Sequence, residues 1–163
     1  MSTNSIYFRT ATHQEDEKNI RDIVTSTGFF NQEEIDIAVE LLTENLQKGG
    51  EVSGYHFIFA EINEQTVGYA CFGPIPATKF SYDLYWIAVH ENSRGMGIGK
   101  KLLIESEKAI KNLGGQRIYI ETSSRAQYNP TRAFYISSHY ETAAILKDFY
   151  APGDSKYIFL KIV

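Results

Sequence analysis

A single cysteine, Cys71, stands in 163 residues, so no disulfide can form within the chain. The four histidines, His13, His56, His90 and His139, are too scattered to match a metal-ligand spacing, and no metal is implied. Basic residues are in deficit, 16 Lys and Arg against 20 Asp and Glu, leaving a net charge of −4. They are nowhere clustered as phosphate neutralisation requires, which excludes a general nucleic-acid surface. No apolar run is long enough to span a bilayer, and Met1 to Thr10 lacks the apolar core of a signal peptide. These absences point to a cytoplasmic protein with no membrane partner. Internal repeats and low-complexity segments are also missing.

What is present is ordinary globular composition, 43% hydrophobic and 22% charged, which supports a packed core. The length favours one domain, residues 1–163. Alternation over Ser5 to Ala11 predicts a first strand. Ile20, Ile23 and Val24 mark a helix that begins in the polar stretch from Thr12 and stops at Gly28. Ile35, Ala38, Val39, Leu42 and Leu46 form one stripe of a second helix over Gln32 to Lys48, ended by Gly49-Gly50. Tyr55 to Ile62 and Thr66 to Phe72 read as a hairpin around Asn63-Glu64-Gln65, after which Gly73-Pro74-Ile75-Pro76 breaks the sheet pattern.

Asp83 to Val89 is a strongly apolar run and reads as a central buried strand. A helix from Ile98 to Leu113 and a strand from Arg117 to Thr122 follow. That strand, helix, strand unit predicts a parallel pair with a right-handed crossover. A short helix over Thr131 to His139 and a closing hairpin, Thr142 to Phe149 with Lys156 to Val163, complete the chain.

Between the central strand and its helix lies His90-Glu91-Asn92-Ser93-Arg94-Gly95-Met96-Gly97-Ile98-Gly99-Lys100. Unpaired amides and the helix dipole attract an anion at such a junction. Glycines at 95, 97 and 99 can take positive φ and bring successive amides to phosphate oxygens, while Arg94 and Lys100 add charge. A diphosphate suits this cradle. A nucleotide P-loop fails, because Arg94 stands where its first glycine belongs and Lys101 replaces the Ser or Thr after the lysine. The dinucleotide fingerprint fails too, since position 100 is Lys.

The remaining pattern, Arg-x-x-Gly-x-Gly at Arg94, Gly97 and Gly99, directly follows Trp86-Ile87-Ala88-Val89. It strongly resembles the acetyl-CoA signature of the GNAT (GCN-related N-acetyltransferase) superfamily. Pro130-Thr131-Arg132-Ala133-Phe134-Tyr135 and the trailing Tyr140-Glu141 resemble that family's next element, a helix bearing a tyrosine near the reactive sulfur. The order of elements is similar across nearly the whole chain.

The resemblance implies an α/β (α+β) GNAT fold: a mixed, mostly antiparallel sheet of about seven strands with a parallel central pair, flanked by about four helices. It implies an acetyl-CoA-dependent N-acetyltransferase with no metal. The cofactor would lie along Ile87, Ala88 and Val89, on the loop Arg94, Gly95, Met96, Gly97, Ile98, Gly99 and Lys100, and against Phe134. A free amine titrates near 10.4, so it must lose a proton before attack. Asp83, six residues before Val89, stands where several family members carry the glutamate that serves as base; as a residue it could equally cap the strand. Tyr135 matches the general acid that protonates the departing thiolate.

Two departures from the pattern stand out. His139 replaces a usual glycine and reads as a helix-end adaptation, and Asn129 lies six rather than seven residues before Tyr135, which weakens it as a cofactor contact.

Acceptor specificity in this family comes from the first two helices, their loop and the last hairpin, here carrying Phe29, Phe30, Glu33, Glu34, Tyr82, Tyr85, Phe149 and Tyr150. Aromatic walls with a few carboxylates suit a small amine or amino-acid-like acceptor. A protein N-terminus or lysine is the alternative acceptor. A non-catalytic acyl-CoA sensor is the alternative from another class. Exposed strand edges leave a homodimer open.

Overall fold

The computed structural model describes residues 5–163. Its seven strands are β1 (Tyr7–Arg9), β2 (His56–Ile62), β3 (Gln65–Pro74), β4 (Ser81–Val89), β5 (Arg117–Ser123), β6 (Glu141–Ala151) and β7 (Asp154–Ile162). They form one sheet in the order β1-β2-β3-β4-β5-β7-β6. Every pairing is antiparallel except β4 with β5. The helices are α1 (Asp16–Ser26), α2 (Gln32–Ser53), α3 (Ile98–Asn112) and α4 (Asn129–Ser137). This is the mixed sheet with a parallel central pair that the sequence led us to expect. No helix among the described residues is long and apolar enough to cross a membrane.

Alternation along the strands sends side chains into two cores, one per face. Ile20, Ile23, Val24, Ile35, Ala38 and Leu42 of α1 and α2 pack on Phe57, Phe59, Tyr69, Cys71 and Ala88. On the other face Ile98, Leu102, Leu103 and Ile110 of α3, with Tyr135 of α4, cover Ile58, Ala70, Leu84, Ile118, Ile120 and Phe159. A buried ion pair joins the N-terminal elements: Arg9 reaches Asp16 at 2.8 Å and Glu61 at 2.7 Å. Burial would raise the Asp16 carboxyl, but hydrogen bonds from Arg9, the His13 amide and Asn19 outweigh it and hold the group below its ordinary value.

Local chemistry explains most boundaries, and three expectations need correction. The Asn31 side chain accepts from the Glu34 amide while Glu34 accepts from the Asn31 amide, a capping box that starts α2. Gly49 breaks the helical path (φ 78°, ψ 166°) but does not end the element. One further turn runs to Ser53 and stops at Gly54, which is left-handed. Gly73-Pro74 does not break the sheet: Pro74 stands opposite Tyr82, and the next amide, Ile75, donates to the Ser81 carbonyl at 2.9 Å. The first strand is shorter than predicted because only Tyr7–Arg9 find partners on β2.

Candidate active site

The site begins with a failure of pairing. β4 and β5 are joined only at Ser81, Tyr82 and Asp83, opposite Arg117, Ile118 and Tyr119. Beyond Asp83 the strands part, so the β5-facing backbone of residues 84–89 has no strand partner. A bulge lies at the point of divergence: Cys71 pairs with Trp86 and Phe72 with Leu84, leaving Tyr85 as the extra residue. Such a bulge bends the strand and re-aims its side chains.

Two adjoining cavities fill the opening. The first, about 540 Å³, is lined by Ile87, Ala88 and Val89, by Arg94, Gly95, Gly97, Ile98, Gly99 and Lys100, and by Phe134 and Tyr135. It gathers every cofactor-side residue expected from the sequence except Met96, which is 46% exposed. Gly95 and Gly97 take φ of 76° and 72°, conformations that would strain a side-chain-bearing residue. Gly99 differs from expectation. It lies in the first turn of α3 without positive φ, and a Cβ built there would come no nearer than 3.9 Å to Phe134 and Val89. Its missing side chain therefore leaves room on the open side of the loop.

Among the described residues, no amide from Gly95 to Lys100 donates to a backbone carbonyl, and the first such bond is from Lys101 to Gly97 at 3.2 Å. Six consecutive free donors at a helix N-terminus form a fitting seat for a diphosphate. Arg94 is meanwhile held by Glu91 at 3.1 Å and stacks on Phe29 at 5.5 Å.

The second cavity, about 580 Å³, shares Ile87, Ala88, Val89, Arg94 and Tyr135 with the first and extends to Phe30, Glu34, Tyr85, Glu121, Thr122, Tyr150 and Asp154. Phe29 and Phe30 also line it, Phe29 against Tyr128 and Phe30 edge-on to Trp86 at 4.9 Å. Of the predicted acceptor residues, Glu33, Tyr82 and Phe149 do not line it. Tyr82 packs instead in the core on the α3 face.

Tyr135 is 4% exposed and lies at the junction of the two cavities. Its ring is fixed by Tyr140 and Phe159, and burial raises its hydroxyl pKa, keeping the proton on oxygen. Asp83 sits on the paired base of β4, outside the cavity lining. Burial pushes its carboxyl up to about 6; the charge of Glu121 adds to the rise and Lys156 opposes it. Asn129 is turned away from a cofactor role, its side-chain oxygen accepting from Arg132.

Among the lining residues that the sequence did not single out are Glu121 and Thr122. Glu121 reaches the second cavity only because β5 runs parallel to β4, and it is paired to Lys156 at 2.8 Å. Thr122 is 7% exposed, and its hydroxyl finds no protein partner among the described residues. Among those residues no group of His, Cys, Asp and Glu side chains gathers as a metal site.

Comparison with known proteins decides the family. Residues 18–137 match the model of the Acetyltransferase (GNAT) family. The chain belongs to the GNAT acetyltransferases. A crystal structure from Desulfovibrio desulfuricans, ascribed to that family, is 42% identical, with a TM-score of 0.94 over 97% of this chain and 99% of that one. The N-alpha-acetyltransferase of Sulfurisphaera tokodaii is 28% identical over 112 residues, which span 63% of this chain and 66% of that protein. The PaiA N-acetyltransferase of Thermoplasma acidophilum, solved with coenzyme A, shares the fold at a TM-score of 0.71 and 19% identity over 98% and 99% of the two chains. This GNAT protein is accordingly an acetyltransferase that uses acetyl-CoA as donor.

Proposed function

We propose that this GNAT enzyme acetylates a primary amine carried by a small molecule, by direct attack of the amine in the cleft between β4 and β5. One observation carries the reading: the cavity against the glycine turn and the cavity beneath Phe30 and Tyr85 adjoin at Ile87, Val89 and Tyr135. Donor and acceptor could therefore meet without a covalent enzyme intermediate. Cys71, the only thiol, is fully buried in the other core and is no nucleophile for such a step.

Acetyl-CoA, when bound, supplies the activated acetyl group. The free amides of Gly95 to Lys100 would hold its diphosphate, and the unpaired backbone of Ile87 to Val89 would pair with its pantetheine arm. Asp83, with a proton affinity near neutrality, would take a proton from the acceptor ammonium through water; Glu121, which lines the cavity, is the second candidate. A backbone amide near Val89 would donate to the carbonyl oxygen as it gains negative charge. The Tyr135 hydroxyl would give its proton to the departing sulfur.

A second reading, acetylation of a peptide α-amino group, is favoured by the N-alpha-acetyltransferase names of the curated relatives. The test is release of free coenzyme A with a library of small amines and short peptides. Turnover of small amines above peptides supports the first reading. Preference for peptides supports the second, and tight coenzyme A binding with no turnover of any acceptor would leave only an acyl-CoA sensor.

A further inference from the structure

The carboxylates that line the acceptor cavity are already engaged. Glu34 accepts the Asn31 amide at 2.9 Å in the capping box of α2. Asp154 accepts from the Ser123 hydroxyl and lies 3.6 Å from the Arg125 guanidinium. Glu121 is 2.8 Å from the Lys156 ammonium. Lys156 is itself caged: its side chain is 13% exposed, and its Nζ lies 4.1 Å from the centre of the Phe149 ring and 6.0 Å from that of Tyr150. A carboxylate flanked by aromatic faces is the environment that selects an organic ammonium. Here the chain fills it with its own.

We infer that Lys156 is a specificity-determining residue: seated outside the cavity lining against Phe149 and Tyr150, its ammonium neutralises the Glu121 carboxylate that does line the cavity, and so disfavours acceptors that carry a second positive charge. The inference rests on the reading of this cleft as an acceptor site and narrows it. The acceptor brings one amine to the reacting end, and the rest of it meets Phe30, Tyr85 and Tyr150 with neutral or apolar groups. A polyamine reaching Glu121 with its second ammonium would find that carboxylate already neutralised by Lys156. Exclusion by like charge is the means by which such a site discriminates.

The experiment is calorimetric, on the full chain saturated with coenzyme A, with spermidine and phenethylamine as probes. The native protein is expected to bind phenethylamine about tenfold or more tightly than spermidine. Lys156→Met should reverse that preference by exposing Glu121. Lys156→Arg should keep the native preference, and the double variant Lys156→Met with Glu121→Gln should lose the gain in spermidine binding. Equal binding of both probes by the native protein, or an unchanged ratio in a folded Lys156→Met protein, overturns the inference. If Lys156→Met does not fold, the ratio in the native protein and in Glu121→Gln decides: spermidine preferred by either sinks the idea. Because binding is read rather than turnover, a lack of acetyl transfer to any amine would count against the proposed reaction without touching this result.

Discussion

The Tyr140 amide donates to the Tyr135 carbonyl at 3.0 Å, and this bond closes α4 around His139, whose φ is 70°. His139 in turn donates to Ile136 at 3.1 Å, and the rings of Tyr135 and Tyr140 meet at 5.9 Å. These are the bonds and the apolar contact of a Schellman ending, with a side-chain-bearing residue in the left-handed position that glycine normally fills. The arrangement matters because it sets the last turn of the helix that carries Tyr135. Relief of the left-handed strain exceeds the entropy that glycine adds to the unfolded chain, so His139→Gly should stabilise the protein by about 1 kcal/mol, read as a higher denaturation midpoint in urea at unchanged slope.

The glycine turn makes a sharper demand. Gly97, the N-cap of α3, has φ of 72° and nothing within 4 Å of a built Cβ. A substitution there is therefore penalised by backbone conformation and by intrusion on the ligand's space, with no clash against the protein itself. Gly97→Val should lower coenzyme A affinity by about tenfold or more, measured by calorimetry. The first core on the α1 and α2 face should be unaffected, so the fluorescence of Trp86, the single tryptophan, should stay native.

If Asp83 is the base, its proton affinity governs the acid limb of the rate. The active form is the carboxylate, so kcat/KM should fall about tenfold per pH unit as pH drops below about 6. Glu121→Gln removes a charge that raises this group, so the inflexion should move to lower pH. The same shift has a stability consequence of opposite sense. A carboxyl raised in the folded state contributes stability that is present below pH 4 and lost as pH rises through about 6, so Asp83→Asn should raise the melting temperature at pH 8. An acid limb that persists unchanged in Asp83→Asn assigns the base elsewhere, to Glu121 first.

Tyr135 and Thr122 act on the same cleft by different routes. Tyr135→Phe should reduce kcat by about tenfold to a few hundredfold, since a thiol titrating near 8.5 is already a fair leaving group. Thr122 carries a buried hydroxyl without a protein partner, and such a group costs about 1–3 kcal/mol unless a ligand or water satisfies it. Thr122→Val should accordingly raise the melting temperature of the unliganded protein and weaken substrate binding, seen as a higher KM with kcat little changed. A fall in stability would show that the hydroxyl is satisfied before substrate arrives.

The elements most legible in the sequence were those specified locally. The periodic stripe of α2 and the glycines at 95 and 97 each carry their meaning within a few positions, whereas the capping box of Asn31 and Glu34 went unread. The glycine turn between β4 and α3 could be read for that reason. The acceptor cavity was legible only in part, because it is made by long-range register: Phe29, Phe30, Glu34, Tyr85 and Tyr150 line it, while Glu33, Tyr82 and Phe149 do not. Glu121 brings its charge to bear on Asp83 and meets Lys156 only after β5 has found β4 on one side and β7 on the other. The bulge at Tyr85 left no trace in composition, yet it decides which side chains of β4 enter the cleft. Gly49 and Pro74 misled for a related reason: both are breakers by local rule, yet α2 runs on past Gly49 and β3 keeps its pairing as far as Pro74.

The parted strands also bear on the enzyme's lifetime. Residues 84–89 form half a ladder, and a ligand lying along them would act as the missing rung and bind only the folded chain. A hundredfold excess over its dissociation constant would add about 2.7 kcal/mol to the folded state. The abundance of such a protein would then follow the total supply of coenzyme A, acylated or free: depleted of both, the chain would unravel and be degraded sooner, so that the carrier pool would set how much catalyst survives while its acylated share sets how fast it works.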